Sequence, residues 1–261
     1  MTLNQTIEHT WLPEQAALTA RPDAGLEKLV CKAQTQALLG VCVRPAHASQ
    51  TRRMLGNDSS LKLITVSGFP EKKMTRAEAL TKTGNVPTAQ KLAEVALALA
   101  AQAEEIDAVI NAPQFTQEWQ RQLGQADFEQ TLTEWRALAE ACTGKTLKLI
   151  LETGLWTPEQ VKALCQLASQ LANDCPGTRI FVKTCTGYVL EDAGATPDII
   201  TLMREALGEA YTAQRVWIKA SGGIKTPAQA HALIDAGAQR LGTSVGPALV
   251  ASPTRQMQNI C

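Results

Sequence analysis

Short apolar runs alternate with longer helical stretches along the chain. Eight candidate strands, each a nearly continuous apolar run, lie near residues 6–12, 41–44, 62–68, 106–111, 147–152, 180–184, 215–220 and 240–244. The helical stretches, rich in Ala, Leu, Gln and Glu, lie near residues 24–39, 45–56, 87–104, 116–142, 157–173, 196–209 and 226–236. Continuous apolar runs are typical of parallel strands that helices cover. This alternation predicts an α/β fold, a (β/α)8 barrel formed by one domain over residues 1–261, rather than an open doubly wound sheet.

Helix-start signals support the alternation. Thr157, Thr196 and Thr226 each precede a proline at the predicted beginning of a helix. Threonine caps a helix N-terminus through its hydroxyl, and proline is favoured at the first helical position. No Gly-x-Gly-x-x-Gly motif or P-loop follows an early strand, which weakens the alternative of a nucleotide-binding fold.

One stretch interrupts the pattern. Residues 71–86 are polar and long for a loop between a strand and a helix. Because they follow the third predicted strand, they would lie at the C-terminal face of the barrel, where such folds carry their sites. Two interpretations stay open for them: a lid or specificity loop, or a solvated surface excursion.

Composition excludes several classes of protein. With 45% hydrophobic and 19% charged residues, the 261-residue chain can bury a large core. Lys and Arg number 25, as do Asp and Glu, so no basic field indicates nucleic acid or an anionic membrane as a partner. The first residues lack the pattern of a signal peptide, and no apolar stretch suits a membrane span.

Cysteine usage indicates the compartment. The seven cysteines are odd in number and show neither a CxxC pair nor Cys/His spacing. This pattern argues against a disulfide framework or a zinc site and favours a reducing cytoplasm.

Lys183 and Lys219 end the sixth and seventh apolar runs, and Gly and Thr or Ser follow each of them closely. Burial of a lysine is costly, and two converging lysines are expected to push at least one pKa down. A neutral amine is what a Schiff-base nucleophile requires. For a lysine taken alone, an ordinary strand end that reaches solvent is the commoner interpretation, but the repeated context favours a functional one.

Further polar residues lie at the ends of other strands. Asp107 shares a strand face with Asn111 by period-two alternation, and an Asp inside a barrel can pair with lysine and relay protons. Gly222-Gly223 and Gly242-Thr243-Ser244 follow the seventh and eighth strands. They match the phosphate cradle of such barrels, in which backbone N–H groups and helix N-termini face the anion. His9, among apolar neighbours, is better explained as a core imidazole than as a base.

These segments resemble the deoxyribose-phosphate aldolases over most of the chain. The matching segments are Ile7 to Thr10, Val41 to Pro45, Val66 to Pro70, Glu105 to Asn111, Leu147 to Thr153, Phe181 to Gly187, Ile218 to Thr226 and Leu241 to Ser244. Among them, F-V-K-T-x-T-G and K-A-S-G-G-I-x-T are very specific in this order and spacing.

The resemblance implies a mechanism and residue roles. Lys183 would form the Schiff base, while Lys219 and Asp107 would assist proton transfer. The reaction would be the reversible cleavage of 2-deoxy-D-ribose 5-phosphate to acetaldehyde and glyceraldehyde 3-phosphate, without metal or other cofactor. Its partners would be small molecules only, a sugar phosphate and aldehydes, with homo-oligomerisation left open. The implied substrate-binding residues are Thr10, Cys42, Phe69, Thr186, Gly187, Gly222, Gly223, Gly242, Thr243 and Ser244.

Several positions depart from the family pattern. Glu8 stands where Asp is usual, Cys185 replaces the usual Ser, and Tyr188 stands where some members carry a basic or another aromatic residue. The loop after Phe69-Pro70 lacks the usual glycine and is longer. A Schiff-base aldolase with a shifted aldehyde or sugar-phosphate substrate is therefore an alternative. A non-catalytic sugar-phosphate binding or regulatory barrel is a further one.

Overall fold

The eight predicted strands form a closed parallel barrel. A computed structural model of the protein describes residues 2–14, 22–56, 60–121, 128–192 and 194–250. Each strand pairs with its neighbour in chain order, and the first pairs with the eighth to close the barrel. The strands are β1 (Ile7–Thr10), β2 (Gly40–Val43), β3 (Lys62–Ser67), β4 (Glu105–Val109), β5 (Thr146–Ile150), β6 (Arg179–Lys183), β7 (Val216–Ser221) and β8 (Arg240–Thr243). The predicted (β/α)8 architecture is confirmed.

Helices follow the strands around the outside. They are α1 (Pro22–Thr35), α2 (Ala48–Leu55), α3 (Arg76–Lys82), α4 (Thr88–Ala100), α5 (Ala112–Arg121), α6 (Glu129–Ala141), α7 (Pro158–Asp174), α8 (Pro197–Leu207), α9 (Glu209–Thr212), α10 (Pro227–Ala236) and α11 (Gly246–Val250). Thr157, Thr196 and Thr226 cap α7, α8 and α10 through their side chains, as the Thr-Pro pairs predict. Within the described residues, every helix is too short or too polar to cross a bilayer.

Two stretches differ from the predicted elements. The single helix expected over residues 116–142 is instead α5 and α6, and residues 122–127 lie outside the described part. The side chain of Glu118 in α5 accepts the backbone N–H groups of Gln130 and Thr131, so α6 has a capped N-terminus of its own. The polar stretch 71–86 contains the short helix α3.

The apolar core has two parts. The larger part lies between the strands and the surrounding helices. A smaller cluster lies on the inner side of the strands, where Val109 shares the face of Asp107 and Ile150 shares the face of Lys148. The members of this inner cluster are Cys42, Ile64, Val66, Phe69, Val109 and Ile150. The inside of the barrel therefore has an apolar side, formed by this inner cluster, and an adjacent charged side that contains Asp107 and Lys148.

The cysteines only partly follow the expectation. Five of them, Cys42, Cys142, Cys165, Cys175 and Cys185, are free. Cys31 on α1 is disulfide-bonded. Cys31 therefore departs from the expected pattern, whereas the other five described cysteines follow it.

Candidate active site

Asp107 connects the two lysines that the sequence singled out. Its Oδ2 atom accepts hydrogen bonds from Lys183 Nζ at 2.9 Å and from Lys219 Nζ at 2.6 Å. Lys183 and Lys219 are register partners on β6 and β7, so their side chains leave the sheet side by side. All three residues are buried. The structure thus brings together the three residues predicted to be catalytic.

A third lysine joins them. Lys148 on β5 donates to Asp107 Oδ1 at 2.9 Å and lies 2.6 Å from Glu105 Oε2. Glu8 on β1 forms an ion pair with Lys219 and lies 3.3 Å from Lys148. Sequence reasoning placed Lys148 and Glu8 at strands but assigned them no role, and it missed Glu105. Period-two alternation was the available signal, because Lys148 has the inward parity of its register partner Asp107.

This network favours the charged forms of Asp107, Lys148 and Lys219. Burial opposes the charged form of Asp107, but the adjacent lysines hold its pKa well below the usual range. Burial also opposes the charged form of Lys148, but Asp107, Glu105 and Glu8 raise its pKa well above the usual value. Asp107 and Glu8 likewise outweigh burial at Lys219 and raise its pKa. The expectation that convergence lowers a lysine pKa is wrong for Lys148 and Lys219, because each forms ion pairs with two or more buried carboxylates.

Access distinguishes the lysines from one another. Lys183 is 4% exposed, whereas Lys148 and Lys219 are fully buried. Lys183 also lines a cavity of about 400 Å³ at the C-terminal ends of the strands. This volume lies in the range of small-molecule sites. Of the lysines bonded to Asp107, Lys183 is the one that a molecule in the cavity can reach.

Most of the predicted binding residues line the same cavity. They are Thr10, Thr186, Gly187, Gly222, Gly223, Gly242, Thr243 and Ser244. Cys42 and Phe69 belong to the inner apolar cluster, and the ring of Phe69 meets that of Tyr188 edge-on at 5.0 Å between centroids. Tyr188 itself lines the cavity. Cys42 and Phe69 therefore do not line this cavity, contrary to the prediction, and Phe69 lines a neighbouring one.

Burial also settles the state of the Cys42 thiol. Burial, reinforced by Asp107, raises its pKa to about 12. The thiol is thus protonated at neutral pH and packs as a small apolar group.

Three glycines of the cavity have steric reasons to be glycine. Gly222 has φ 92°, and a Cβ atom there would lie 2.5 Å from Cys185 Sγ. Gly223 follows with φ 72° and is exposed. A Cβ atom on Gly242 would lie 2.9 Å from Lys219 Cε. Gly222 and Gly223 allow a left-handed turn with close approach to its backbone, and Gly242 leaves room for Lys219.

Thr186 and Thr243, two of the three threonines that line the cavity, have partners already. Thr243 Oγ1 donates to Ile224 O at 2.9 Å and accepts from Val245 N at 3.1 Å, which ties the loops after β7 and β8 together. Thr186 Oγ1 accepts from Tyr188 N at 3.0 Å, and the Thr186 N–H donates to Glu152 Oε1 at 3.0 Å. The hydroxyl proton of Thr243 is therefore committed to a carbonyl.

Glu152 belongs to a second buried group below the cavity. Burial raises its pKa to about 7, and its Oε2 atom has no hydrogen-bond partner. A carboxylate oxygen of Glu152, one of Asp192 and Cys185 Sγ lie within 4.8 Å of one another, close enough to hold a metal ion. Burial and the two acids raise the Cys185 pKa well above its usual value, and its thiol donates to Ser221 O at 2.7 Å. A pKa of about 7 leaves Glu152 partly protonated at neutral pH.

Two other sequence candidates lie apart from the lysines. The Asn111 side-chain oxygen accepts the N–H of Gln114 at the start of α5, so Asn111 does not share a face with Asp107 as predicted. His9 is buried, and burial lowers its pKa to about 4. Its imidazole is neutral at physiological pH, with Nδ1 3.4 Å from Thr243 O.

Comparison with known proteins finds deoxyribose-phosphate aldolases among both the similar sequences and the similar structures. No protein-family model matches the chain. A deoxyribose-phosphate aldolase from Deinococcus radiodurans is 34% identical over 254 residues, which is 96% of each chain. One from Clostridium botulinum is 34% identical over 250 residues, which is 96% of this chain and 100% of the relative.

Solved structures share the fold. A candidate deoxyribose-phosphate aldolase from Coccidioides immitis has a TM-score of 0.77 at 29% identity, with 95% of this chain and 84% of that chain covered. A tetrameric deoxyribose phosphate aldolase from Aeropyrum pernix has a TM-score of 0.72 at 22% identity, with 95% of this chain and 89% of that chain covered. The second likeness concerns the fold alone.

Proposed function

The chain belongs to the deoxyribose-phosphate aldolase family, and we propose that it is a lyase that uses Lys183 as a Schiff-base nucleophile. Its reaction is the reversible cleavage of 2-deoxy-D-ribose 5-phosphate to acetaldehyde and D-glyceraldehyde 3-phosphate. Relatives of that name match 96% of the chain at 34% identity. One observation carries the assignment of Lys183: of the three lysines bonded to Asp107, it is the one that lines the cavity.

The proposed reaction begins at the aldehyde carbon of the open-chain sugar. The neutral Lys183 amine adds to this carbonyl, and loss of water leaves a protonated iminium. The iminium draws electrons from the bond between C2 and C3, which breaks as the C3 hydroxyl gives up its proton. Glyceraldehyde 3-phosphate leaves, and protonation of the remaining enamine followed by hydrolysis releases acetaldehyde and restores Lys183. The iminium is the electron sink, so no step uses a metal or another cofactor.

Charge balance supports this use of Lys183. Inside the barrel, Lys148, Lys183 and Lys219 meet three carboxylates, Glu8, Glu105 and Asp107, and Glu105 also pairs with the partly exposed Lys62. A protonated iminium carries the same charge as the ammonium that it replaces. Asp107 can therefore stay ionised beside Lys183 before and after the covalent step, without a new uncompensated charge in the interior.

Lys219 and Asp107 are proposed to move protons rather than to bond to substrate. Lys219, Asp107 and Lys183 form a continuous hydrogen-bonded chain through Asp107 Oδ2. Asp107 can accept a proton from Lys183 when the amine must be neutral and return one later, while Lys219 stays a cation and favours the loss of that proton. Full burial keeps Lys219 out of reach of the carbonyl.

The phosphate is proposed to bind at the end of the cavity away from Lys183. Gly222 and Gly223 expose backbone between β7 and α10, and Ser244 lies exposed after β8. Their N–H groups can approach an anion closely because no side chain intervenes at the glycines. Thr10, Thr186, Gly187, Gly242 and Thr243 would complete the walls.

A shifted substrate within the same chemistry is the second candidate. It is favoured by Glu8, which replaces the usual Asp and pairs with Lys219, and by Tyr188 at the cavity wall. A panel of phosphorylated and unphosphorylated aldehydes and deoxysugars distinguishes it. The non-catalytic alternative would be favoured by a missing lysine or Asp107, but all three groups are present and in contact.

The decisive experiment is borohydride reduction in the presence of 2-deoxyribose 5-phosphate, followed by peptide mapping. Reduction fixes the iminium as a secondary amine, so we expect one stable adduct on Lys183. An adduct on Lys219 or Lys148 would reassign the nucleophile. The absence of any adduct in a protein that binds the sugar phosphate would favour the non-catalytic barrel.

Further parts of the proposal are broader. We propose one catalytic domain over residues 1–261, a role in deoxyribonucleotide and carbohydrate catabolism, and a cytoplasmic location. The balanced charge gives no reason to add nucleic acid or membrane as a partner. A homo-oligomer also belongs to the proposal, and sedimentation of the purified chain tests it directly.

A further inference from the structure

The polar segment 71–86 is fastened to the loop that follows the Lys183 strand. Met74 N–H donates to Tyr188 O at 2.9 Å, and Leu190 N–H donates to Met74 O at 2.9 Å. These two bonds form a one-residue parallel bridge between Met74 and Val189. Met74 is buried there, 5% exposed.

Arg76 fastens the same segment at a second place. Its backbone N–H donates to Glu191 Oε2 at 2.7 Å. Its guanidinium donates to Gly154 O at 3.3 Å and to Leu155 O at 2.9 Å, in the turn after β5. Segment 71–86 is therefore held against the loops after β5 and β6, which favours the specificity-loop interpretation over a solvated excursion.

This attachment places Lys73 at the cavity. Lys73 is the residue before the Met74 bridge, is exposed, and lines the 400 Å³ cavity together with Lys183 and Lys225. Among the described residues that line the cavity there are three lysines and no carboxylate. Within the described ranges, Lys73 forms no ion pair with any acid. The mouth of the cavity is thus positively charged, and of its three lysines Lys183 is paired with Asp107.

We infer that Lys73 binds the phosphate of the substrate and is a specificity-determining residue for phosphorylated sugars; this inference rests on the proposed function. Lys183 is used at the carbonyl end and is paired with Asp107. Lys73 and Lys225 remain for a dianion, and they approach it from separate loops, after β3 and after β7. A flexible ammonium that has no ion-pair partner among the described residues can turn toward a phosphate with little competing cost.

Lys72 provides a matched control. It has the same charge, lies one position earlier in the same segment and is likewise exposed. It lines a neighbouring cavity instead, with Phe69, Pro70 and Glu94. If the lysines attracted the phosphate only through their long-range electrostatic field, both would contribute to its binding. If the phosphate contacts Lys73 directly, Lys73 alone contributes.

The test compares Lys73→Met with Lys72→Met, using steady-state cleavage of 2-deoxyribose 5-phosphate and of unphosphorylated 2-deoxyribose. For Lys73→Met, KM for the phosphorylated sugar should rise about 10-fold, the scale of one exposed charge-assisted hydrogen bond, with kcat retained. Cleavage of deoxyribose should not change, and Lys73→Arg should keep the KM of the unaltered protein. Inorganic phosphate should inhibit deoxyribose cleavage less strongly in Lys73→Met.

Three outcomes would overturn the inference. They are an unchanged KM in Lys73→Met, an equal rise in Lys72→Met, and an equal loss on deoxyribose. In all three, the unaltered protein still cleaves the sugar phosphate and is still trapped at Lys183, so the proposed function survives. An unaltered protein that neither cleaves the sugar phosphate nor forms the adduct would overturn both.

Discussion

Lys183 and Lys219 lie side by side as register partners on β6 and β7, and both donate to the same oxygen of Asp107, at 2.9 and 2.6 Å. They differ in access, because Lys183 is 4% exposed and Lys219 is fully buried. Glu8 forms a second ion pair with Lys219. When Lys183 loses its proton, Asp107 and Glu8 still have Lys219 as a cation. One lysine can therefore react while the other keeps the interior neutralised.

Lys183→Ala should abolish both turnover and borohydride trapping. The variant removes the amine that reaches the cavity, and Lys219 and Lys148 are fully buried and bonded to carboxylates. Turnover assays and peptide mapping after reduction check this. Residual trapping at another lysine would show that burial in the network does not prevent that lysine from reacting.

Lys219→Leu should slow cleavage and move the pH–rate profile to higher pH. The variant removes a cation beside Lys183 and leaves Asp107 to act on Lys183 more strongly, so the ammonium form of Lys183 is favoured. The profile moves to higher pH because Lys183 of the variant becomes a neutral amine only at higher pH. Rates measured from pH 6 to 10 for the variant and the unaltered protein test it, and a profile that stays in place would remove the coupling.

Asp107→Asn should reduce the rate on the order of 100-fold or more, the usual scale for a group that moves protons. The amide keeps the shape of the side chain but cannot neutralise the three lysines around it. Single-turnover measurements should show slow formation of the iminium. Near-normal rates would exclude Asp107 from the proton path.

Much of this fold was predictable from sequence, for a physical reason. Parallel barrel strands are buried on both faces, so each one is a compact apolar run, and all eight predicted runs correspond to strands. The exact ends were less predictable. β4 ends at Val109, so the alternation that would have aligned Asn111 with Asp107 stops before Asn111. That residue caps α5 instead.

The charged network was only partly predictable, because its contacts form when the barrel closes. Glu8 and Lys219 are 211 positions apart in sequence, and Asp107 and Lys219 are 112 apart. A charged residue within an apolar run shows that a buried partner is needed but not which one. The sequence singled out the stretch 71–86 but not Lys73 within it, since the bridge of Met74 to Val189 is what brings Lys73 to the cavity.

Glu152→Gln should change how stability depends on pH. Burial raises the Glu152 pKa from 4.5 to about 7, so the folded state favours the neutral carboxyl. Its stabilising effect is complete below pH 4.5 and is lost as pH rises through about 7. The glutamine does not titrate, and its carbonyl can still accept the Thr186 N–H.

Urea unfolding at pH 5 and pH 8 measures this effect. The unaltered protein should lose about 3 kcal/mol more than Glu152→Gln over that range, an order-of-magnitude figure from the shift. Glu140→Gln, at an exposed position on α6, serves as the control and should behave as the unaltered protein. Parallel pH dependence of the unaltered protein and Glu152→Gln would show that Glu152 is ionised throughout.

Gly223→Ala should raise KM for 2-deoxyribose 5-phosphate while leaving Lys183 open to trapping by acetaldehyde. The added methyl group would stand on exposed backbone where the phosphate is proposed to approach, at a residue with φ 72°. A left-handed alanine is also strained, so the variant needs a control for strain alone. Gly144→Ala supplies it, because Gly144 has φ 77°, nothing lies within 4 Å of the added Cβ, and it precedes β5 at the opposite end of the barrel. Both variants should lose similar stability, but only Gly223→Ala should raise KM. An equal KM in the two variants would rule out a phosphate site at this turn and favour the shifted substrate. A ratio of kcat/KM near one between the sugar phosphate and deoxyribose, measured for the unaltered protein, would have the same meaning.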